Sequence, residues 1–195
     1  IVMLDNLEKY KVILASGSPR RRELMAGLGV NYEVRILPDV DESYPDTLQG
    51  EEIPLYIAKE KADAYIPMMQ PDELIITADT IVWLDGEVLG KPRDREDALQ
   101  MLRTMSGRTH EVFTGVCITT TDWQRSFTAQ TEVRFATLSE DEIIYYVDNF
   151  KPMDKAGAYG VQEWIGFIGV ENISGSYYNI MGLPVQKLYR ELLKV

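Results

Sequence analysis

The sequence predicts an α/β protein in which helices pack against one mixed β-sheet. In the first part of the 195 residues, short apolar runs typical of buried strands alternate with segments of helical periodicity. Further along, residues 110–120 and 124–135 are two longer β patterns joined by a short Thr/Asp turn. Because strands and helices alternate early while the middle contributes a hairpin, we expect a sheet with both parallel and antiparallel neighbours.

The first predicted elements are a strand, a helix and a second strand. Residues 11–15 are an apolar run that ends in Ser-Gly-Ser, as in a strand followed by a loop. Ser18 suits a helix N-cap and Pro19 suits the first helical position. Gly29 is expected to end this helix as its C′ residue. Residues 32–37 then form the second strand.

The next segment combines an acidic loop, a helix and strands. Residues 38–50 are acidic and contain proline, which predicts a loop, and a helix is expected over residues 51–65. Residues 74–78 form a continuous apolar strand, which predicts burial on both faces. A hairpin of residues 81–84 and 87–89 follows, because the intervening Asp-Gly pair tolerates the positive φ angles of a type I′ turn.

Three helices are predicted beyond this hairpin. Asp94 is the expected N-cap of the first. Ser139 and Glu142 have the spacing of a capping box, which opens a helix that runs through Phe150. Glycine-rich, strand-like segments come next, and a terminal helix is expected over residues 184–193.

Composition and charge exclude several classes of protein. With 45% hydrophobic residues the chain can bury an ordinary core, and its 195 residues fit one fairly large domain or two small ones. Of these we predict a single domain over residues 1–195. The excess of 31 acidic over 20 basic residues gives a net charge of −11, which argues against nonspecific binding to nucleic acid or anionic membranes. The single cysteine, Cys117, excludes an intrachain disulfide. No apolar run is long enough for a membrane span and no signal-peptide pattern is present, so a cytoplasmic location is expected.

The motif Ser-Gly-Ser-Pro-Arg-Arg-Arg, residues 16–22, places three arginines in the first turn of a helix. Cations are unfavourable there, because the helix dipole is positive at this end. Backbone N–H groups and the hydroxyls of Ser16 and Ser18 would converge on one point, and guanidinium groups such as that of Arg20 match phosphate oxygens. We interpret the motif as an anion site suited to a triphosphate. The alternative is a solvated basic turn with Glu23 as an acidic partner.

Acidic residues are candidates for proton transfer and metal binding. Asp79 and Thr80 stand at the end of the predicted buried strand, where ligands of open α/β sheets collect. Asp79 could hold Mg²⁺ together with substrate phosphates, or accept a proton from water. A turn or capping aspartate is an equally good interpretation of this residue alone. Glu42 lies in an acidic loop, and such loops are usually only solvated.

Basic and amide side chains complete the candidates. Lys61 lies on a predicted helix and Lys91 directly precedes another, although exposed lysines normally serve only solubility. Gln162 offers an amide donor and acceptor side by side, which suits a pyrimidine edge. By spacing alone, a tight glycine-shaped connection with an incidental glutamine is the simpler interpretation. His110 is the only histidine, and no Walker phosphate loop or dinucleotide fingerprint occurs.

Motifs along most of the chain can be compared with known families. They are Leu-Ala-Ser-Gly-Ser-Pro-Arg-Arg-Arg-Glu-Leu (14–24), Ala-Asp-Thr-Ile-Val (78–82), Gly-Lys-Pro (90–92), residues 102–115 around Met-Ser-Gly-Arg-Thr-His, Asp-Lys-Ala-Gly-Ala-Tyr-Gly (154–160), and Ser-Gly-Ser-Tyr-Tyr (174–178) with Gly-Leu-Pro (182–184). Together, and in this order, they resemble the Maf family of nucleoside triphosphate pyrophosphatases. The resemblance extends from about residue 11 to the end.

The resemblance implies a twisted mixed sheet with flanking helices and two lobes around a central cleft, related to the inosine triphosphate pyrophosphatases. It implies cleavage of a nucleoside triphosphate to monophosphate and pyrophosphate, with Mg²⁺ or Mn²⁺ as cofactor. The motif at residues 154–160 is similar to the branch that acts on dTTP and UTP. A house-cleaning role on modified pyrimidine nucleotides, a link to septum formation and a homodimer are further expectations.

The resemblance also implies roles for individual residues. Asp79 corresponds to the catalytic base that activates water for attack at the α-phosphorus, and Glu42 is expected to hold the metal together with Asp79. Residues expected to bind or neutralise the phosphate chain are Arg20, Lys61 and Lys91, with Ser16 and Ser18 shaping the loop. Residues expected to set base choice are Arg20, Thr80 and Gln162.

One residue departs from the family pattern, and two other classes of function compete. Glu163 follows Gln162 where a glycine is expected, and its carboxylate could narrow the base pocket or repel phosphate. A nucleotide-sensing regulator of cell division, without catalysis, is the first alternative. Binding of nucleic acid by the arginines is the second, and the net charge of −11 argues against it.

Overall fold

The protein is represented by a computed structural model that describes residues 1–37 and 40–195. The strands are β1 (Lys11–Leu14), β2 (Tyr32–Val34), β3 (Glu73–Leu84), β4 (Glu87–Leu89), β5 (Thr109–Thr119), β6 (Gln124–Phe135) and β7 (Val170–Ser174). The helices are α1 (Pro19–Gly27), α2 (Glu52–Tyr65), α3 (Arg95–Met105), α4 (Glu140–Phe150), α5 (Trp164–Gly169), α6 (Tyr177–Met181) and α7 (Val185–Leu192). No helix in these described ranges is long and apolar enough to cross a membrane.

The strands form one mixed sheet, as the sequence predicts. Six strands follow the order β2-β1-β3-β5-β6-β7, and β4 pairs with β3. β1 runs parallel to both β2 and β3, because α1 and α2 connect these strands as crossovers. β4 is antiparallel to β3 across the predicted Asp85-Gly86 turn, in which both residues have positive φ angles. The predicted α/β fold class is therefore confirmed.

The chain divides into two compact units. The first comprises Ile1–Asp79, Thr114–Ala129 and Gly182–Val195, and the second comprises Thr80–Phe113 and Gln130–Met181. The chain passes between the units inside β3, β5 and β6, and once more after α6.

The first unit has an aliphatic core that draws on distant parts of the chain. Leu14 of β1 and Leu74 of β3 pack in one cluster with Leu188 and Leu192 of α7, and all four side chains are fully buried. Met25 is the buried residue of α1 in the same cluster. Burial of such apolar side chains stabilises the fold by about 1.5–3 kcal/mol each.

The second unit contains a buried aromatic cluster around the only histidine. His110 contacts Phe135 and Tyr159 edge to face, with ring centroids 5.0 and 5.3 Å apart. His110 Nε2 lies 2.6 Å from the Tyr159 hydroxyl, and Nδ1 is buried without a hydrogen-bond partner among the described residues. Burial therefore lowers the pKa of His110 from 6.5 to about 4.

This histidine is expected to make stability depend on pH. Between about pH 6.5 and 4 the unfolded chain binds a proton at His110 that the folded chain does not bind, so stability falls as the pH falls. The slope for one such group is about 1.4 kcal/mol per pH unit. Chemical unfolding at several pH values should show a steeper decline for the natural protein than for His110→Gln. Parallel curves for the two proteins would contradict the prediction.

Most predicted elements are present, and three differences have physical causes. The capping box of Ser139 and Glu142 is formed, and Ser18 caps α1 by accepting a hydrogen bond from the backbone N–H of Arg21. Predicted strand 32–37 ends at Val34, where its pairing with β1 stops. Part of the predicted loop, residues 38 and 39, lies outside the described residues. The short helices α5 and α6 replace predicted strand-like segments, because helices of six and five residues leave too little periodicity to detect.

The third difference concerns the strand that carries Asp79. Predicted strands 74–78 and 81–84 are one continuous strand, β3, so Asp79 and Thr80 lie inside a strand and not at its end. β3 pairs with β1 as far as Ile76 and with β4 from Val82 onward. Asp79 therefore lies between the stretches of β3 that pair with these two partners.

Candidate functional site

Asp79 is a partly buried carboxylate in contact with a lysine. Its side chain is 14% exposed, and Oδ1 lies 3.4 Å from Nζ of Lys61. Burial raises the pKa of Asp79, while the positive charges of Lys61 and Arg21 act in the opposite direction. A carboxylate with a raised pKa is a better proton acceptor, which suits a general base.

Lys61 joins two carboxylates. It projects from α2, and its Nζ also lies 3.3 Å from Oε1 of Glu42 and donates to the backbone oxygen of Ala78 at 3.1 Å. The Lys61 side chain is 16% exposed, whereas that of Glu42 is 60% exposed. The structure thus brings together three residues predicted for the site, Asp79, Lys61 and Glu42, all within the first unit.

The same two carboxylates are the candidates for holding a metal. The negative charge of Glu42 contributes to the raised pKa of Asp79, so the two groups repel each other at short range. A divalent cation would relieve this repulsion. Among residues 1–37 and 40–195 no cluster of three or more metal-ligating side chains occurs. Two carboxylates fit Mg²⁺ that takes its remaining ligands from phosphates and water.

The start of α1 presents the predicted arginine motif. The Ser16 side chain accepts a hydrogen bond from the Ser18 backbone N–H at 3.1 Å, which fixes the loop before the helix. Arg20 is partly buried in the first turn. Arg22 turns back and donates to the Gly17 carbonyl at 3.1 Å.

Of the three arginines in the predicted motif, Arg21 is the one whose charge acts on Asp79, although the sequence analysis singles out Arg20. Its Nε donates to the Gly182 carbonyl at 2.7 Å. Burial lowers the pKa of Arg21, and the carboxylates of Asp79 and Glu42 counter that effect. A signal was present in the sequence. Arg21 stands four residues before Met25 and so shares the inward face of α1.

The remaining predicted residues belong to the second unit. Thr80 follows Asp79 in β3, and Lys91 is exposed between β4 and α3. Gly90, next to Lys91, accepts a hydrogen bond from the Gly157 backbone N–H at 3.1 Å, which ties two of the predicted motifs together. Gln162 is partly buried, and its Oε1 is enclosed without a hydrogen-bond partner in the described part of the chain.

Gln162 lies at the end of a tightly shaped loop, residues 155–163. Gly157 and Ala158 have positive φ angles of 71° and 60°. Left-handed backbone suits glycine but strains alanine, and the full burial of Ala158 holds it in place. The carboxylate of Glu163 accepts a hydrogen bond from the Tyr146 hydroxyl at 2.7 Å.

Comparison with known proteins shows extensive similarity. A family model described as Maf-like protein matches residues 11–195. A relative from Bacteroides thetaiotaomicron, named dTTP/UTP pyrophosphatase, is 72% identical over 193 residues, which cover 99% of this chain and 100% of the relative. A relative of the same name from Porphyromonas gingivalis is 55% identical over 192 residues, which cover 97% and 96% of the two chains.

Two solved structures share the fold. The Staphylococcus aureus Ham1 protein superposes with a TM-score of 0.57 at 16% identity, covering 94% of this chain and 98% of the other. A HAM1 protein from Coxiella burnetii gives a TM-score of 0.52 at 13% identity, covering 95% and 100%. At such low identity the likeness concerns the fold alone.

Proposed function

The chain belongs to the family of Maf-like proteins, and from this we propose that it hydrolyses nucleoside triphosphates to monophosphates and pyrophosphate, with dTTP and UTP as preferred substrates. Relatives that are 72% and 70% identical over almost the whole chain carry the name dTTP/UTP pyrophosphatase. The observation that carries the proposal is the contact of the partly buried Asp79 with Lys61, which in turn pairs with Glu42.

Asp79 acts as the general base in the proposed reaction. Its ionised carboxylate accepts a proton from water, and the water oxygen attacks the α-phosphorus while pyrophosphate leaves. Burial raises the pKa of Asp79, which increases its affinity for that proton. The positive charges of Lys61 and Arg21 lower the pKa of Asp79 and so favour its ionised form.

Cationic side chains bind and neutralise the triphosphate. The residues proposed for this role are Arg20, Lys61 and Lys91, with Ser16 and Ser18 shaping the loop before α1. Arg21 adds a buried positive charge near Asp79. Positive charges that face the departing pyrophosphate stabilise the transition state more than the substrate, because negative charge concentrates on the leaving group.

Asp79 and Glu42 would hold the divalent cation. Mg²⁺ or Mn²⁺, when bound, supplies charge stabilisation for the phosphate oxygens. The repulsion between the two carboxylates supports this assignment.

Arg20, Thr80 and Gln162 set the choice of base. The buried, unpartnered Oε1 of Gln162 supports this role, because an enclosed amide oxygen is costly unless a donor reaches it. The N3–H of thymine or uracil is such a donor, whereas N3 of cytosine is an acceptor.

The protein is further proposed to work in the cytoplasm as a homodimer, to remove modified pyrimidine nucleotides and to influence septum formation. No nucleic acid or membrane partner is proposed. The net charge of −11 supports the absence of such partners, since a negatively charged protein repels nucleic acids and anionic membranes.

A turnover assay tests the proposed function. Pyrophosphate release would be measured with Mg²⁺ or Mn²⁺ across canonical and modified nucleoside triphosphates. Turnover that is highest with dTTP and UTP is the expected result. Binding of triphosphates without release of pyrophosphate would instead support the nucleotide sensor.

Replacing Lys61 by methionine should change the pH dependence of turnover. The positive charge that most lowers the pKa of Asp79 disappears, so that pKa should rise further. The acid limb of the kcat profile is therefore expected to move to higher pH. Lys59→Met, an exposed change on the same helix, is the control. An unmoved acid limb would show that Lys61 does not tune Asp79.

A further inference from the structure

Glu163, which directly follows Gln162, has two side-chain partners in the second unit. Its Oε1 accepts the hydrogen bond from the Tyr146 hydroxyl at 2.7 Å and lies 3.7 Å from Nζ of Lys155. The side chains of Glu163 and Lys155 are 22% and 13% exposed. The carboxylate is thus compensated by a hydroxyl donor and an ammonium group.

Tyr146 connects this carboxylate to the loop that ends at Gln162. The hydroxyl that donates to Glu163 also accepts a hydrogen bond from the Gly160 backbone N–H at 3.0 Å. One hydroxyl therefore links residues on both sides of Gln162. Gly160 has no side chain to obstruct this arrangement, because a Cβ there would lie 2.6 Å from Oε1 of Glu163 and 2.9 Å from Cε of Lys155.

Tyr146 is itself held in place by the residues around it. Tyr146 is fully buried on α4, whose first turn is fixed by the capping box of Ser139 and Glu142. Its ring stacks on Phe150 at a centroid distance of 5.2 Å. Burial and the neighbouring Glu163 carboxylate raise the pKa of Tyr146, so its hydroxyl stays protonated and able to donate.

We infer that Glu163 and Tyr146 are positioning residues for Gln162. They hold the loop so that the enclosed Oε1 of Gln162 faces a donor on the substrate base in one orientation. Two hydrogen bonds on the Tyr146 hydroxyl, one from Gly160 and one to Glu163, carry this inference. It rests on the proposed function, because the base is what Gln162 would read.

The test compares base discrimination with phosphate binding. In Tyr146→Phe the hydroxyl is lost but the buried ring is kept, and in Glu163→Gln the charge is lost but an acceptor is kept. The ratio of kcat/KM for dTTP over dCTP should fall by about tenfold in Tyr146→Phe and by less in Glu163→Gln. Inhibition by tripolyphosphate, which has no base, should stay within about twofold of the natural value, since the network does not involve the phosphate-binding residues.

Tyr145→Phe is the matched control. Tyr145 is an exposed neighbour of Tyr146 on the same helix, and the change removes the same hydroxyl group. Its ratio should equal that of the natural protein. If Tyr146 had only a structural role, Tyr146→Phe would lower the unfolding temperature and leave the ratio of kcat/KM for dTTP over dCTP unchanged. That result would overturn the inference. If Tyr146→Phe does not fold, Glu163→Gln decides by the same criterion.

A double-mutant cycle shows whether the two residues act through Gln162. Once Gln162→Ala has removed the amide, adding Tyr146→Phe should reduce the ratio little further. Independent, additive losses would overturn the inference while leaving the proposed function intact. Absence of cleavage by the natural protein with every triphosphate would instead refute the proposed function, and the inference with it.

Discussion

An Asp79→Asn protein is expected to fold normally and to release pyrophosphate about 10²–10⁴ times more slowly than the natural protein. The amide has the size of the carboxylate but cannot take the proton from water. The comparison requires dTTP turnover at saturating substrate, together with thermal unfolding of both proteins.

Measuring the unfolding temperature distinguishes loss of the catalytic base from loss of the fold. Burial raises the pKa of Asp79, so the ionised carboxylate destabilises the folded state at neutral pH. A neutral amide removes that cost, and the unfolding temperature of Asp79→Asn should equal or exceed the natural value. Asp63→Asn, the same change at an exposed position of α2, should leave turnover unchanged. Near-normal turnover of Asp79→Asn would exclude Asp79 as the base.

Gly166→Ala is expected to produce the largest loss of stability. A Cβ at this position would lie 1.8 Å from the backbone oxygen of Val161. Because this oxygen belongs to the backbone, it cannot move away as the end of a flexible side chain could. The Gly166 backbone N–H also donates to the Glu163 carbonyl at 2.9 Å, which holds α5 against the loop. The free energy of unfolding should fall by about 3 kcal/mol, as measured by denaturant titration.

Gly27→Ala serves as the matched control for this prediction. Gly27 ends α1, and a Cβ there would meet no atom within 4 Å. The change should be neutral or stabilising by up to about 1 kcal/mol, because alanine restricts the unfolded chain more than glycine does. Equal effects at the two glycines would show that the contact with Val161 is not the cause.

Local sequence signals predict much of this fold because they act over a few residues. The N-cap of α1, the capping box of α4 and the Asp-Gly turn each depend on side chains within one turn of the backbone they satisfy. The continuity of β3 could not be predicted in this way. Asp79 and Thr80 interrupt the apolar pattern, yet pairing with strands from other parts of the chain keeps this segment extended.

For the candidate site, too, the sequence indicates individual residues but not the contacts that form between distant parts of the chain. Asp79 and Lys61 are candidates from the sequence, but the 3.4 Å contact between them depends on how α2 packs beside β3. The helical spacing of Arg21 from Met25 indicates that its side chain faces inward, but its relation to Asp79 arises only in the folded chain. The partners of Glu163 were equally hidden, since Tyr146 is 17 residues away and lies on another helix.

The repeated passage of the chain between the two units has a consequence for biosynthesis. Leu188 and Leu192 of α7 belong to the same core cluster as Leu14 of β1. On the ribosome, the first unit therefore cannot complete its core until translation has passed residue 192, although its first strand emerges early. Contacts this distant in sequence slow folding and prolong exposure of apolar surface. Neither unit is a continuous segment, so a nascent chain released before α7 would leave the core incomplete and be a substrate for chaperones or proteases.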